Sequence, residues 1–240
     1  MKSHYSKCTG RSPRGFTLVE LIVVVGIMAL IIASVVPGLT EVIRAARLTS
    51  AGDQVLGRIS LAQQHALSLN SPVELRFYSF ADDFSPSGEP TITAFQLVEL
   101  LNDAATANVT DGDSGEDAAL TQRVLNEPVY IDSGLEISTD TTLSPLLTNL
   151  VDDSSNTFSV EGARYAALIF YPDGGFKLRG TAGALAGSAA ELNATTPNLS
   201  ESYFTIAESR DLEAAGGEAP ANYYCIQLDP YTGKARTYRP

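Results

Sequence analysis

The stretch Gly15-Phe16-Thr17-Leu18-Val19-Glu20-Leu21 opens a run that closes with Ile31-Ile32-Ala33-Ser34-Val35-Val36-Pro37. From Phe16 to Val36 there are 21 residues and one charge, Glu20. At about 1.5 Å per residue, a helix of that length spans roughly 30 Å, the thickness of a hydrocarbon core. A helix satisfies its own backbone polar groups, so it can lie in lipid. Lys2, Lys7, Arg11 and Arg14 precede the run. A basic flank stays in the cytoplasm, so the body after the run is expected on the far side of the membrane. Two residues set the stretch apart from an ordinary anchor. Glu20 is a carboxylate inside an apolar run, which costs a few kcal/mol in lipid and marks a functional candidate. Gly15 lies before the apolar region, whereas a secretory signal peptide is cut at small residues after it.

That arrangement resembles the type IV prepilins and the pseudopilins of type II secretion. The motif stands here as Arg14-Gly15-Phe16-Thr17-Leu18-Val19-Glu20-Leu21. The resemblance implies that a membrane prepilin peptidase cuts after Gly15 and methylates the new N-terminus, Phe16. It also implies that Glu20, fifth in the mature chain, pairs with the N-terminal amine of a neighbouring subunit. Pro37 falls where many pilins carry a helix-loosening proline. The implied partners are other pilin or pseudopilin subunits, the peptidase, an inner-membrane assembly platform and membrane lipid. A plain signal-anchor helix would explain the hydrophobicity and the basic flank, but neither Glu20 nor Gly15.

The 240 residues suffice for one domain and an anchor. Net charge is −12, and removing the four cations of residues 1–15 takes the mature chain to −16. Such an acidic body suits an extracytoplasmic solvent and makes a poor general binder of nucleic acid. Cys8 lies in the leader, so Cys225 is left without an intrachain partner and no disulfide framework is implied. Cys225 falls in an apolar strand pattern that favours packing over reactivity.

Residues 1–15 read as a cleaved leader and residues 16–37 as the membrane and assembly helix. Residues 38–70 continue it as an amphipathic segment. Leu39, Val42, Ile43 and Ala46, then Val55, Ile59, Ala62, Ala66 and Leu69, fall at helical spacing. Asn70-Ser71-Pro72 ends the helix. Residues 71–240 read as a β-rich head. Val73-Glu74-Leu75-Arg76-Phe77-Tyr78 alternates like a strand, and Thr91 to Leu101 pairs with it as a hairpin. Further strands are expected at Val129 to Ile131, Leu135 to Ile137, Tyr165 to Tyr171, Phe176 to Leu178, Tyr203 to Ala207, Tyr223 to Leu228 and Lys234 to Arg239. Residues 102–119 and 180–200 read as long loops. Asp111, Asp113, Glu116 and Asp117 raise calcium binding, but Glu116 stands where an EF-hand loop needs glycine, so the cluster reads as solvated. The expected fold class is α+β: a long N-terminal helix whose amphipathic half packs on an antiparallel sheet.

Ile169-Phe170-Tyr171-Pro172-Asp173-Gly174-Gly175, with Thr232-Gly233-Lys234-Ala235-Arg236 in a terminal hairpin, resembles the H-type minor pseudopilins and their type IV pilus relatives. Closer still is the resemblance to the pilin-like group called Verru_Chthon cassette protein D. It rests on Leu48-Thr49-Ser50-Ala51-Gly52, Val73 to Tyr78, Asp229-Pro230-Tyr231-Thr232-Gly233 and the ending Tyr238-Arg239-Pro240. The implied function is that of a minor pseudopilin subunit, built into a type II secretion or type IV pilus-like filament for protein transport. It would sit single-pass in the inner membrane with a periplasmic head. The alternative is a minor pilin whose head binds DNA or another ligand through Lys234, Arg236 and Arg239. The acidic body weighs against DNA, and charges on a terminal edge strand also serve to discourage edge pairing. No nucleophile elbow, HExxH or P-loop occurs, and His65 has no metal-site companion nearby in sequence. No catalysis, cofactor or metal is expected.

Overall fold

The computed structural model describes residues 15–80, 91–102, 120–152, 163–180 and 194–240, without the side chains of residues 34–39, 80, 102, 120 and 121. Of the expected loops at 102–119 and 180–200, residues 103–119 (with the four acidic residues) and 181–193 lie outside the described residues, as does the leader through Arg14. The described end of the second loop carries a bridge from Thr195 to Leu178 and the start of a 3-10 turn, Leu199–Glu201. Two compact units meet in the chain between Arg44 and Ala45.

Helix α1 runs Leu18–Leu69. Thr17 caps its start: the Glu20 amide donates to Thr17 Oγ1 (3.2 Å), and the Leu21 amide to the Thr17 carbonyl (3.1 Å). The helical backbone continues through Pro37, where the missing N–H leaves the Ala33 carbonyl without its usual donor. The end is a Schellman motif. Asn70 turns left-handed (φ 51°), and the Ser71 amide bonds the Ala66 carbonyl at 3.3 Å. Pro72 then forbids another turn.

Among the described residues the strands form one antiparallel sheet. They are β1 (Val73–Phe80), β2 (Thr91–Asn102), β3 (Leu120–Val124), β4 (Val129–Tyr130), β5 (Leu135–Ile137) and β6 (Val151–Asp152). β7 (Arg164–Phe170), β8 (Phe176–Leu178), β9 (Tyr203–Glu208), β10 (Tyr223–Leu228) and β11 (Ala235–Tyr238) complete it. The order is β11-β10-β9-β5-β2-β1-β7-β6, with β3 and β4 also on β2 and β8 also on β7. A short helix, α2 (Ser209–Ala215), follows β9. The α+β class expected from sequence is the observed one. Neither β3 nor α2 was expected.

The head buries one face of α1. Leu48, Ala51, Val55, Ile59, Ala62 and Ala66 lie at steps of three and four and join Val73, Leu75, Phe77, Phe95, Phe204 and Ile226 in one core. The buried stripe therefore begins at Leu48. Val42 (65 % exposed), Ile43 and Ala46 do not join it, a correction to the stripe read from spacing. Helical periodicity places residues on a common face without saying whether anything lies opposite.

A second correction concerns β1. Its alternation suggests one wet face, yet Glu74, Arg76 and Tyr78 are as buried as Val73, Leu75 and Phe77. The strand lies between β2 and β7, and its two charged residues pair with each other and with side chains of the neighbouring segments. Glu74 Oε2 accepts from Arg76 Nε (2.7 Å), and Glu74 Oε1 accepts from Arg179, which follows β8. Arg76 also donates to Gln122 Oε1 (2.8 Å) and lies 4.5 Å over the Tyr165 ring. Ala167, opposite Arg76 in β7, is the small residue that leaves room for these long side chains.

Candidate functional site

Gly15, Phe16 and Thr17 precede the helix in non-helical backbone. A Cβ added to Gly15 would meet nothing within 4 Å, and Phe16 is 78 % exposed. The Gly15–Phe16 peptide bond is thus presented in open, uncoiled chain just ahead of a capped helix. A peptidase needs that geometry, because a bond inside a helix must unwind before it can be cut.

Glu20 stands in the first turn and is exposed. Thr17-Leu18-Val19-Glu20 is a capping-box sequence, S/T-x-x-E, whose threonine half is formed here. The pattern is present in the residues themselves, so Glu20 is part of a helix start as well as the one charge of the apolar run. A carboxylate at this end of a helix is favoured by the macrodipole. Cleavage after Gly15 would place the new ammonium one residue before the cap, at the same end of the same helix.

Every described side chain from Phe16 to Ala33 is exposed, including Leu18, Leu21, Ile22, Leu30 and Ile32 at 59 % or more. Among the described residues no helix is long and apolar enough to cross a membrane. The described part of the N-terminal apolar run reaches from Leu18 to Ala33, about 22 Å along the helix axis. The rest of the run, Ser34 to Val36, has no described side chains.

In the head, the two motif-bearing turns come together. The Phe176 amide, following Gly174-Gly175, donates to the Pro230 carbonyl at 2.9 Å. Gly233 is left-handed (φ 67°), and a Cβ there would lie 2.7 Å from the Gly174 carbonyl oxygen and 2.3 Å from Gln63 Nε2. Gln63 of α1 in turn donates to the Gly233 carbonyl. The two turns lie more than 50 residues apart in the chain, and their junction on the helix is a tertiary fact.

The three basic residues near the C-terminus do not form one cluster. Lys234 and Arg236 line a surface groove of about 240 Å³ with Leu199, Gln227 and Asp229. Asp229 is held below the usual carboxylate range, chiefly by the Tyr231 amide, with Arg236 contributing. Arg239 instead donates to Thr49 Oγ1, the Ala45 carbonyl and Asn222 Oδ1. Cys225 is a free, half-buried thiol whose pKa burial pushes up, away from thiolate chemistry. His65 is half-buried. Among the described residues no group of three or more His, Cys, Asp or Glu side chains could hold a metal ion.

Residues 10–36 match the family model of the prokaryotic N-terminal methylation motif. The match brackets Gly15, Phe16 and Glu20, and it supports a pilin-like protein processed by a prepilin peptidase and assembled with other pilin subunits. It does not extend into the head. No curated protein and no solved structure matches the chain.

Proposed function

We propose that this chain is a minor pseudopilin-type subunit, cut after Gly15, N-methylated on Phe16 and built into a type II secretion or type IV pilus-like filament. The observation that carries this reading is the N-terminal segment. An open Gly15–Phe16 bond leads into a capped helix whose apolar side chains stay exposed through Ala33. Apolar surface on that scale calls for lipid before assembly and neighbouring helices after it. The sequence supplies the membrane span, with 21 residues and one charge between Phe16 and Val36. The basic residues ahead of it favour a cytoplasmic N-terminus and a periplasmic head. In this reading the head presents a surface to other subunits rather than an active site. The turn junction around Gly174, Pro230 and Gly233 brings together the two turn segments on which the H-type resemblance rests.

The test is the mass and N-terminal chemistry of the full chain extracted from membranes, with and without a co-expressed prepilin peptidase. A chain beginning at N-methylated Phe16 is expected with the peptidase. A chain that keeps residues 1–15 beside an active peptidase would overturn the proposal.

A further inference from the structure

We propose that Arg239 is a latch holding the first head-packed turns of α1, and that its release frees residues 45–52 while the sheet stays folded. Arg239 is 190 residues from Thr49 in sequence, yet its guanidinium donates to Thr49 Oγ1, to the Ala45 carbonyl at 3.2 Å and to Asn222 Oδ1 at 3.4 Å. Thr49 Oγ1 also donates to the Ala45 carbonyl at 2.8 Å. That carbonyl belongs to a helical turn, and back-bonding by a hydroxyl four residues on slightly weakens such a turn. Arg239 donates to the same carbonyl from outside the helix.

The place is where such a contact matters. The boundary between the two compact units falls just before Ala45. Among residues 45–52, Leu48 is the one large apolar side chain that is buried; Ala51 and Gly52 contribute little area. Apolar burial is therefore thin here, and polar contacts supply much of what holds the segment. Arg47 makes a second contact, donating to the Ser133 carbonyl at 2.6 Å. The Tyr224 ring lies directly on Gly52 and donates its hydroxyl to Asp53 at 3.0 Å. The three acceptors of Arg239 are neutral, so salt screens these bonds weakly. A solvated C-terminal arginine would not gather a helix carbonyl, a helix hydroxyl and a β10-flanking amide at once. In a subunit carried by its helix, which rests on the filament reading above, load passes from helix to head through this turn. The latch itself stands whether or not the chain is processed.

Hydrogen–deuterium exchange of the full chain in detergent micelles tests it, comparing wild type with Arg239→Gln and Thr49→Val. Loss of two to three net hydrogen bonds predicts roughly ten-fold faster exchange at the amides of residues 48–53 in both variants, with β1 and β7 unchanged. Arg239→Lys, which lacks the forked donors, is expected in between. Should Arg239→Gln fail to fold, the near-isosteric Thr49→Val carries the test. Unchanged exchange at residues 48–53, or equal acceleration in β1 and β7, overturns the latch.

Discussion

Glu74→Gln is the most informative single change in the head. Glu74 is wholly buried between two guanidinium groups: Arg76 Nε and Nη2 each lie 2.7 Å from Oε2, and Arg179 donates to Oε1. The amide keeps the shape of the carboxylate and one acceptor, but removes the only negative charge of this triad. Arg76 and Arg179 then lose the carboxylate that lies between them. Breaking a buried ion pair from one side costs about 3–5 kcal/mol, a large part of the roughly 5–15 kcal/mol that holds a domain. For a head of this size each kcal/mol shifts Tm by about 2–4 °C, so a fall of roughly 6–20 °C is expected. Thermal and urea unfolding of the full chain, followed by tyrosine signals of the head, reads it. The triple change Glu74→Leu, Arg76→Met, Arg179→Met removes the charges together and is expected to regain most of the loss. A loss under about 1 kcal/mol for Glu74→Gln would refute the reasoning, because it would mean that the guanidinium groups find another counter-charge or water at no cost.

Acid should erase the same difference. Burial pushes the Glu74 carboxyl up, but Arg76, Arg179 and their hydrogen bonds outweigh it and hold its pKa below the ordinary value. The folded state then releases this proton more readily than the unfolded chain does. The stabilisation is complete above the unfolded carboxyl pKa and drains away as pH falls through the folded one. The gap between wild type and Glu74→Gln is expected to close at low pH.

Glu136 behaves oppositely. Burial raises its pKa and the nearby Glu213 adds to this, against a hydrogen bond from Ser209. Its favourable contribution exists below the unfolded carboxyl pKa and is lost as pH rises through the folded one. Glu136→Gln is therefore expected to raise the urea midpoint at pH 7 and to lose that advantage below about pH 4. Where the helix begins to pack is tested by Leu48→Ala, expected to cost about 2–5 kcal/mol, against Val42→Ala, expected within about 0.5 kcal/mol in detergent-solubilised protein. Equal costs would move the start of the buried stripe.

The sequence carried the helix, its end at Asn70 and most strands, because periodicity and turn residues are local signals. What it missed depends on neighbours. Leu48 and Val42 are equally apolar, and only the sheet decides which one is covered. Glu74 and Arg76 alternate like residues of a wet face, and only the arrival of Arg179, 105 residues on from Glu74, makes that face dry. Gly52, which carries no side chain to pack, is the gap that Tyr224 fills. Among the three C-terminal cations, pairing of Gln227 with Arg236 turns one side of β11 toward the groove, while Arg239 lies beyond the strand and turns to α1. The processing segment was the most legible part, since its chemistry lies within a few consecutive residues. Even there the capping role of Thr17 is a backbone hydrogen bond that the structure shows directly.

That cap gives Glu20 a reason to exist that complements the assembly reading. Cutting after Gly15 would leave an ammonium at Phe16, just outside the first turn. The N-terminal end of a helix already carries about half a positive charge, so a cation there is disfavoured. A carboxylate in the first turn offsets both the ammonium and the dipole. N-methylation leaves the amine basic, so the offset is needed before and after that step. The carboxylate is exposed, and in an assembled filament it could serve a neighbour's amine in place of its own. Exchange of one amine for another conserves charge pairing, and neither group need be stranded in a low dielectric while subunits enter. If the chain is cut after Gly15, the glutamate would let the charged N-terminus pass through apolar surroundings, and its spacing from that bond is the spacing of the capping box, Thr17 at the cap and Glu20 three residues on.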